Sequence, residues 1–435
     1  MERSMTVPRR LYLAGLLSGV LVALAACSGP PSVQAPGAPS ATVFEGARVI
    51  VGDRSAPIDN ATIIVDGTRF VAVGRRGDVD VPANARRVDL TGKTVMPAIV
   101  DTHTHLASMR DALVDQLQRK AYHGVAAALS LGQDVGEVPF QVRGELIPNA
   151  ARFLTAGRGI TRPEPGRSDV PYWVSTEAEA RKAVQELATQ KLDLIKIWVD
   201  DRDGKYPKLT PALYGAVIDE AHKNGLRVTA HLFTLEDAKG LMRAGIDAFA
   251  HGVRDRDIDQ ELLEMFKARP EVVLVPNLPD RWVATDLSWL ADSVPADELK
   301  KLQDAATDRP AAQQAFAIQA RNLAKLNAAG VRIAFGTDGS VPWSHHVEMA
   351  DMVATGMTPA QVLVAATSTS AEFLRLNDLG TVAAGRSADF LVLDGNPLDD
   401  ITNTRTLSAV YLRGEEVDRA AMKARLTGGS AGGGR

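Results

Sequence analysis

The chain has 435 residues, of which 45% are apolar and 23% are charged, and its formal net charge is −4. This length exceeds what one hydrophobic core usually organises, so we expect one large domain and one smaller domain. Both signs of charge are scattered along the chain without a basic stripe, so nucleic acid is not an expected partner. The composition is that of an ordinary globular protein.

The first residues predict an export signal. Arg3, Arg9 and Arg10 precede an apolar run over residues 11–26, which is short for a membrane span and ends in small residues. The run closes with Leu-Ala-Ala before Cys27, the one cysteine of the sequence. This ending resembles a bacterial lipobox, in which the cysteine is acylated and becomes the new N-terminus.

We therefore interpret residues 1–27 as a lipoprotein signal peptide with a lipobox. Residues 28–42, rich in Pro, Gly, Ser and Ala, predict a flexible tether. The expected location is the periplasmic side of a bacterial membrane, with the chain held there by a lipid anchor. Ser28, where inner-membrane lipoproteins carry Asp, favours the outer membrane by resemblance. The arginine pair also resembles a twin-arginine signal, so the export route stays open between the two systems.

Short β-branched runs separated by turn residues occupy residues 43–94, and a similar pattern returns in residues 378–418. The simplest architecture joins the two regions in one small β-sandwich, with residues 95–377 inserted between them as the larger domain. Residues 419–435 are then a C-terminal tail.

Residues 95–377 alternate between strand-like and helical patterns. Eight strand-like runs are each followed by a helical segment, and eight is the number of strands that closes a parallel barrel. Several helix starts are readable, such as Thr176 with Glu179 three residues later. The predicted fold class is α/β, a (β/α)8 TIM-like barrel with a small β-sandwich formed by both termini.

Six potential metal ligands fall at or near the carboxyl ends of these strands. Two histidines separated by one residue leave the same face of the first strand. In such barrels the chemistry lies at the carboxyl ends of the strands, so we expect all six side chains to converge there. Imidazole ligands suit a borderline metal such as zinc. The six residues are His103, His105, Lys196, His231, His251 and Asp338.

Lys196 is the most diagnostic of the six. Lysine is seldom fully buried without a partner, and its ammonium group would be repelled by a metal cation. The amine must therefore be deprotonated or converted into an anion. Carbamylation by CO2 gives a carboxylate that can bridge two metal ions, so we expect two divalent ions, zinc by preference, and a carbamylated Lys196. A lysine that reaches solvent at the barrel mouth is the alternative.

The ordered set of an HxH pair, a strand-four Lys, two His and an Asp resembles the amidohydrolase superfamily, in particular its imidazolonepropionase-like and Xaa-Pro dipeptidase-like hydrolases. The resemblance implies that Asp338, with the HxH pair, holds the more buried metal and that His231 and His251 hold the second. It implies that Lys196 bridges the two. It also implies an enzyme that hydrolyses an amide C–N bond, with Asp338 as the catalytic proton acceptor.

The substrate is expected to be a small molecule. Arginine forks suit carboxylates, and loops after the third and fourth strands carry several basic and aromatic side chains. The candidate substrate-binding residues are Arg162, Arg167, Tyr206 and His346. They favour an N-acyl amino acid or a dipeptide, although the dipeptidases carry Gly-Gly-His where this chain has Thr161-Arg162-Pro163.

Three other functions are compatible with the sequence. An esterase or lactonase could use the same site, because the same hydroxide attacks esters. The second is a mononuclear deaminase, but Lys196 would then have no role. The third is a lipoprotein that binds without catalysis, which would not need the complete set of metal ligands that this sequence has. Homo-oligomerisation is left open.

The lipobox interpretation makes a direct prediction. Cys27→Ala should release the protein from membranes into the soluble fraction without changing its activity, because the acyl chains are the anchor and the tether is separate from the barrel. Fractionation of cells that express either form measures this. Continued membrane association of the variant would contradict lipidation at Cys27.

Overall fold

The computed structural model describes residues 41–427. The predicted signal peptide, Cys27, residues 28–40 of the tether and the end of the predicted tail lie outside the described residues. Within residues 41–427, no helix is both long enough and apolar enough to cross a membrane.

The described chain alternates strands and helices. The strands are β1 (Ala41–Val49), β2 (Ile58–Asp66), β3 (Arg69–Arg75), β4 (Arg86–Asp89), β5 (Thr94–Pro97), β6 (Ile99–Thr104), β7 (Val125–Ser130), β8 (Arg152–Thr155), β9 (Ile160–Thr161), β10 (Tyr172–Trp173), β11 (Ile195–Trp198), β12 (Val228–His231), β13 (Ala248–Ala250), β14 (Val273–Val275), β15 (Arg332–Ile333), β16 (Phe390–Leu393), β17 (Leu407–Leu412) and β18 (Glu415–Glu416). The helices are α1 (Arg110–Tyr122), α2 (Val138–Arg143), α3 (Glu177–Ala188), α4 (Pro211–Lys223), α5 (Leu235–Ala244), α6 (Gln260–Ala268), α7 (Ala296–Ala305), α8 (Gln313–Ala328), α9 (Ser344–Ala354), α10 (Pro359–Val364), α11 (Ser370–Phe373) and α12 (Arg419–Thr427).

Strands from both ends of the described chain form one eight-stranded sheet, in the order β18-β17-β16-β5-β1-β2-β3, with β4 also paired to β1. The first half of β1 pairs with β4 and its last residues pair with β5. Gly46 lies between the two halves with φ +90, and a Cβ there would come within 2.6 Å of the Thr91 hydroxyl. Glycine is therefore required where β1 changes partners.

This sheet folds over its own apolar face. β3 and β16 are four strands apart in the pairing order, which would be about 19 Å in a flat sheet. The rings of Phe70 on β3 and Phe390 on β16 nevertheless lie 5.6 Å apart. Phe390 also stacks on Tyr411 with centroids 4.5 Å apart. The sheet therefore curves around an aromatic core.

Strands β6 to β15 form two sheets in which every pairing is parallel. One contains β6-β7-β8, and the other has the order β10-β9-β11-β12-β13-β14-β15. The α/β class is confirmed. The eight predicted strands correspond to β6, β7, β8 and β11 to β15, whereas the two-residue strands β9 and β10 were not predicted.

Most of the parallel strands are buried along their whole length, as expected when helices cover the sheet. All six residues of β7 and all four of β11 are buried. The predicted capping box of Thr176 and Glu179 begins α3, and Thr358 with Gln361 begins α10 in the same way. Local capping signals therefore place the helices that surround the strands.

Candidate metal centre

Three predicted ligands converge beyond the ends of β6 and β15. His103 lies in β6, His105 directly follows it, and Asp338 lies in the loop after β15. The Nε2 atoms of both histidines are 3.0 Å from Oδ1 of Asp338. Within residues 41–427, these three form the group of His, Cys, Asp and Glu side chains whose ligand atoms all lie within 4.8 Å of one another.

The other three predicted ligands surround this group. Nζ of Lys196 in β11 lies 3.5 Å from Nε2 of His103. Nε2 of His251, which follows β13, lies 3.6 Å from Oδ2 of Asp338. The rings of His251 and His231, the last residue of β12, are 4.6 Å apart. The structure thus brings all six side chains together.

Burial determines the charge of these groups. It lowers the pKa of His103 to about 4 and that of His231 to about 3, so both imidazoles are neutral near pH 7. Burial also lowers the pKa of Lys196 to about 7, although Asp338 acts in the opposite direction. Burial raises the pKa of Asp338, but the neighbouring histidines outweigh this effect and hold it well below its usual range. Asp338 is therefore an ionised carboxylate.

Two residues that the sequence analysis missed fix the histidine tautomers. Nδ1 of His103 lies 2.8 Å from Oδ1 of Asn277, which can only accept, so Nδ1–H donates and Nε2 keeps its lone pair. Nε2 of His231 donates in the same way to Asp200, 3.0 Å away, which leaves Nδ1 with the lone pair. Such outer partners orient metal ligands. In the sequence, the signal available for these two residues was that Asn277 follows β14 and Asp200 follows β11.

The donor set fits a divalent metal. Neutral imidazoles with a defined lone pair, such as those of His103 and His231, and an ionised carboxylate are the ligands that zinc prefers in proteins. His103 and His105 with Asp338 form the first group of donors. His231 and His251 form the second, and Lys196 lies beside the first. Bound cations would accept the free lone pairs of the buried imidazoles and would offset the negative charge of the Asp338 carboxylate.

A buried ion pair supports the site from below. Nζ of Lys120 lies 2.9 Å from Oδ2 of Asp101, and neither side chain is exposed. The Asp101 carboxylate also accepts from the backbone N of His103 at 3.3 Å, and from the backbone N and hydroxyl of Thr337 at 3.1 and 2.8 Å. Thr337 precedes Asp338. One carboxylate therefore connects β6 to the loop that carries Asp338.

The predicted substrate-binding residues are engaged elsewhere. Arg162 donates to the backbone O of Val174, and Tyr206 donates to that of Pro165. Arg167 pairs with the buried Glu164. The structure shows no hydrogen bond between these three side chains and the six converging ligands.

His346 is also placed away from the six ligands. It is 1% exposed, its Nδ1 lies 3.1 Å from the Thr404 hydroxyl, and its ring contacts Trp289 and His345. The structure therefore places His346 in a separate buried cluster under the C-terminal part of the chain.

Arg202 lies beside the candidate metal ligands, where Arg162 and Arg167 were expected. Its Nη1 lies 2.6 Å from Asp200 and 3.3 Å from Nε2 of His231, while its Nε donates to Glu164 at 3.1 Å. Its backbone φ is +55, in the left-handed region. The fold of the loop after β11, which the sequence pattern does not specify, directs this guanidinium to His231.

Comparisons with known proteins agree with this geometry. The model of the amidohydrolase family matches residues 94–417. An imidazolonepropionase from Deinococcus radiodurans is 25% identical over 419 residues, which cover 87% of this chain and all of the relative. A Xaa-Pro dipeptidase crystal structure with bound methionine aligns with a TM-score of 0.69 at 23% identity, and covers 87% of this chain and 99% of its own. Phenylurea hydrolase B aligns with a TM-score of 0.71 at 22% identity, covering 88% and 98%. At this identity the two structures support the fold.

The buried pair beneath the site can be tested by stability. Lys120→Met should lower the free energy of unfolding by about 3–5 kcal/mol, because Asp101 would remain as an uncompensated buried charge. Denaturant titration measures the change. Lys300→Met is the control, because Lys300 and its partner Asp304 are 75% and 64% exposed. It should cost less than about 1 kcal/mol. Equal losses in the two variants would contradict the role of the buried pair.

Proposed function

Because this chain belongs to the amidohydrolase family, and is therefore an enzyme that hydrolyses carbon–nitrogen bonds, we propose that it cleaves an amide of a small molecule with two divalent metal ions bound. The observation that carries the proposal is the convergence of His103, His105 and Asp338, with ligand atoms within 4.8 Å, beside a buried lysine. A single catalytic metal would leave that lysine unexplained.

We infer that the two parallel sheets are parts of one eight-stranded barrel. The backbone N of Asp193, just before β11, donates to Thr155 O at the end of β8, at 3.2 Å. At the other edges, Thr102 N in β6 donates to Phe335 O after β15, at 2.9 Å. These two bonds support a closed ring of strands, and a closed ring explains why ligands from five different strands meet.

The proposed ligand assignment follows from the donor groups. His103, His105 and Asp338 would hold one ion, and His231 and His251 would hold the second, with carbamylated Lys196 shared between them. Bound divalent ions supply a Lewis acid that polarises the scissile carbonyl and lower the pKa of the attacking water. Burial supports the carbamate, because an amine with a pKa of about 7 is substantially unprotonated at neutral pH and can attack CO2.

Asp338 is the proposed proton carrier. Its carboxylate is ionised, and its Oδ1 is 3.0 Å from two histidines that fix its position. It can accept the proton of the attacking water and deliver it to the leaving amine, as general acid–base catalysis requires. Its backbone N donates to the O of His103 at 2.7 Å, which holds the loop against β6 during this exchange.

The proposed substrate class is an amide such as an N-acyl amino acid or a dipeptide. The relatives include an imidazolonepropionase and a Xaa-Pro dipeptidase, and both names denote hydrolysis of bonds to nitrogen. A panel of matched amides, esters and lactones tests the class. Faster hydrolysis of amides supports the proposal, and hydrolysis of esters or lactones alone would replace it by an esterase or lactonase.

Lys196 provides the sharpest test of the two-metal proposal. Lys196→Ala should lose most amide hydrolysis and part of its bound metal, because the shared ligand is gone. Short carboxylic acids such as acetate or propionate should partly restore both, since they replace the carbamate. Lys205→Ala, which removes an exposed lysine of the next loop, is the control and should retain activity. A fully active Lys196→Ala enzyme would refute the shared ligand.

A further inference from the structure

Arg254 is anchored beside the two metal-ligand candidates of β12 and β13. Its backbone N donates to the O of Phe233 at 2.9 Å, and its guanidinium carbon lies 3.2 Å from the centroid of the Phe233 ring. Phe233 in turn contacts the rings of His231 and His251, with centroid separations of 4.4 and 5.3 Å. One aromatic ring therefore separates this cation from the site.

The guanidinium of Arg254 forms no salt bridge within residues 41–427, although the side chain is half-buried. The carboxylates of Asp200, Asp338 and Asp203 raise its pKa only from beyond salt-bridge distance. The other arginines near the site are paired, Arg202 with Asp200 and Arg167 with Glu164. Burial lowers the pKa of Arg254, which reflects the cost of taking the charge out of water. An anionic ligand would offset that cost.

The stacking on Phe233 determines which atoms of Arg254 remain available. A cation–π contact uses the flat surface of the guanidinium and leaves its in-plane N–H donors for another partner. These donors form a planar fork that matches a carboxylate bidentately. The arrangement therefore favours a carboxylate over a compact cation or a neutral group.

An apolar rim lies on loops that follow other strands. Met109, Val135 and Val341 are 76, 41 and 44% exposed and follow β6, β7 and β15, respectively. The loops of Met109 and Val135 are joined where Ser108 Oγ accepts from Val135 N at 3.1 Å. The loop of Val341 follows β15, two strands from β13, which precedes Arg254, whereas β6 and β7 belong to the other parallel sheet. The loops that follow the parallel strands thus carry exposed apolar side chains as well as this cation.

We propose that Arg254 binds the carboxylate of the substrate, so that the substrate is an amide with a free carboxylate on one side and an apolar group on the other. This assignment rests on the proposed amide hydrolysis and specifies the substrate of the same site. Arg254 is then the residue that determines specificity, in place of Arg162 and Arg167. An N-acyl amino acid with an apolar acyl group has this chemistry.

The test uses two ligands that this reaction does not cleave. N-(phenylmethanesulfonyl)glycine and N-methyl-phenylmethanesulfonamide carry the apolar group on the acyl side and differ only in the carboxylate. Titration calorimetry on the metal-loaded full chain gives both dissociation constants. The wild type should bind the carboxylate member about 10- to 100-fold more tightly, as expected for hydrogen bonds to a charged group. Arg254→Met, which keeps the contact with Phe233, should abolish that preference, and Arg254→Lys should retain part of it.

Arg256→Met is the matched control, because Arg256 is exposed and already pairs with Asp255. It should keep the wild-type preference. Equal binding of the two ligands by the wild type, no binding of either, or an unchanged preference in Arg254→Met would each overturn the assignment. Hydrolysis of amides is scored separately on the wild type. A carboxylate preference in an enzyme that cleaves no amide would reject the proposed function and leave the role of Arg254 intact.

Discussion

The Asp338 carboxylate is the group on which the site depends. It is the anion that three histidines share, with contacts of 3.0 Å to His103 and His105 and 3.6 Å to His251. Burial lowers the pKa of His103 and His251, so both of these imidazoles are neutral near pH 7. A group of bases around one anion is unsatisfied unless cations join it, which is why the donor chemistry points to metal ions.

The backbone is shaped to bring these groups together. Asp338 and His251 both have positive φ, +53 and +88, which non-glycine residues rarely adopt and which cost about 1–3 kcal/mol each. The conformational strain at Asp338 is offset by the hydrogen bonds of the buried Asp101 carboxylate, which hold Thr337 and the backbone of His103 together. Such local strain is typical of functional sites, where the surrounding structure imposes a conformation that the residue alone would avoid.

Much of this site could be predicted from sequence because it depends on periodicity. His103, Lys196 and His231 occupy regular strands, so their place at the carboxyl ends follows from counting strands. Asn277 and Asp200 also follow strands, but an amide or a carboxylate at a strand end has no distinctive spacing. Lys120 has the pattern of an ordinary helix residue, and its pairing with Asp101 depends on how α1 packs against β6.

Loop conformation explains the remaining differences between the predicted and the observed residues around the site. Arg162 and Arg167 were expected to face the substrate because of their position in the chain, yet they donate to Val174 and Glu164. Arg202 approaches His231 and Arg254 stacks on Phe233 instead, because loop conformation rather than periodicity directs their side chains. The folded sheet of the two termini was predictable in outline, whereas its curvature depends on Gly46 and on the packing of Phe70 against Phe390.

In the proposed function, six side chains from five strands form one two-metal site. Elemental analysis of the purified, active full-length protein tests it most directly, because it counts bound metal independently of any substrate. The account predicts close to two divalent ions per chain, with zinc the expected element. Active protein that contains no metal would contradict the account.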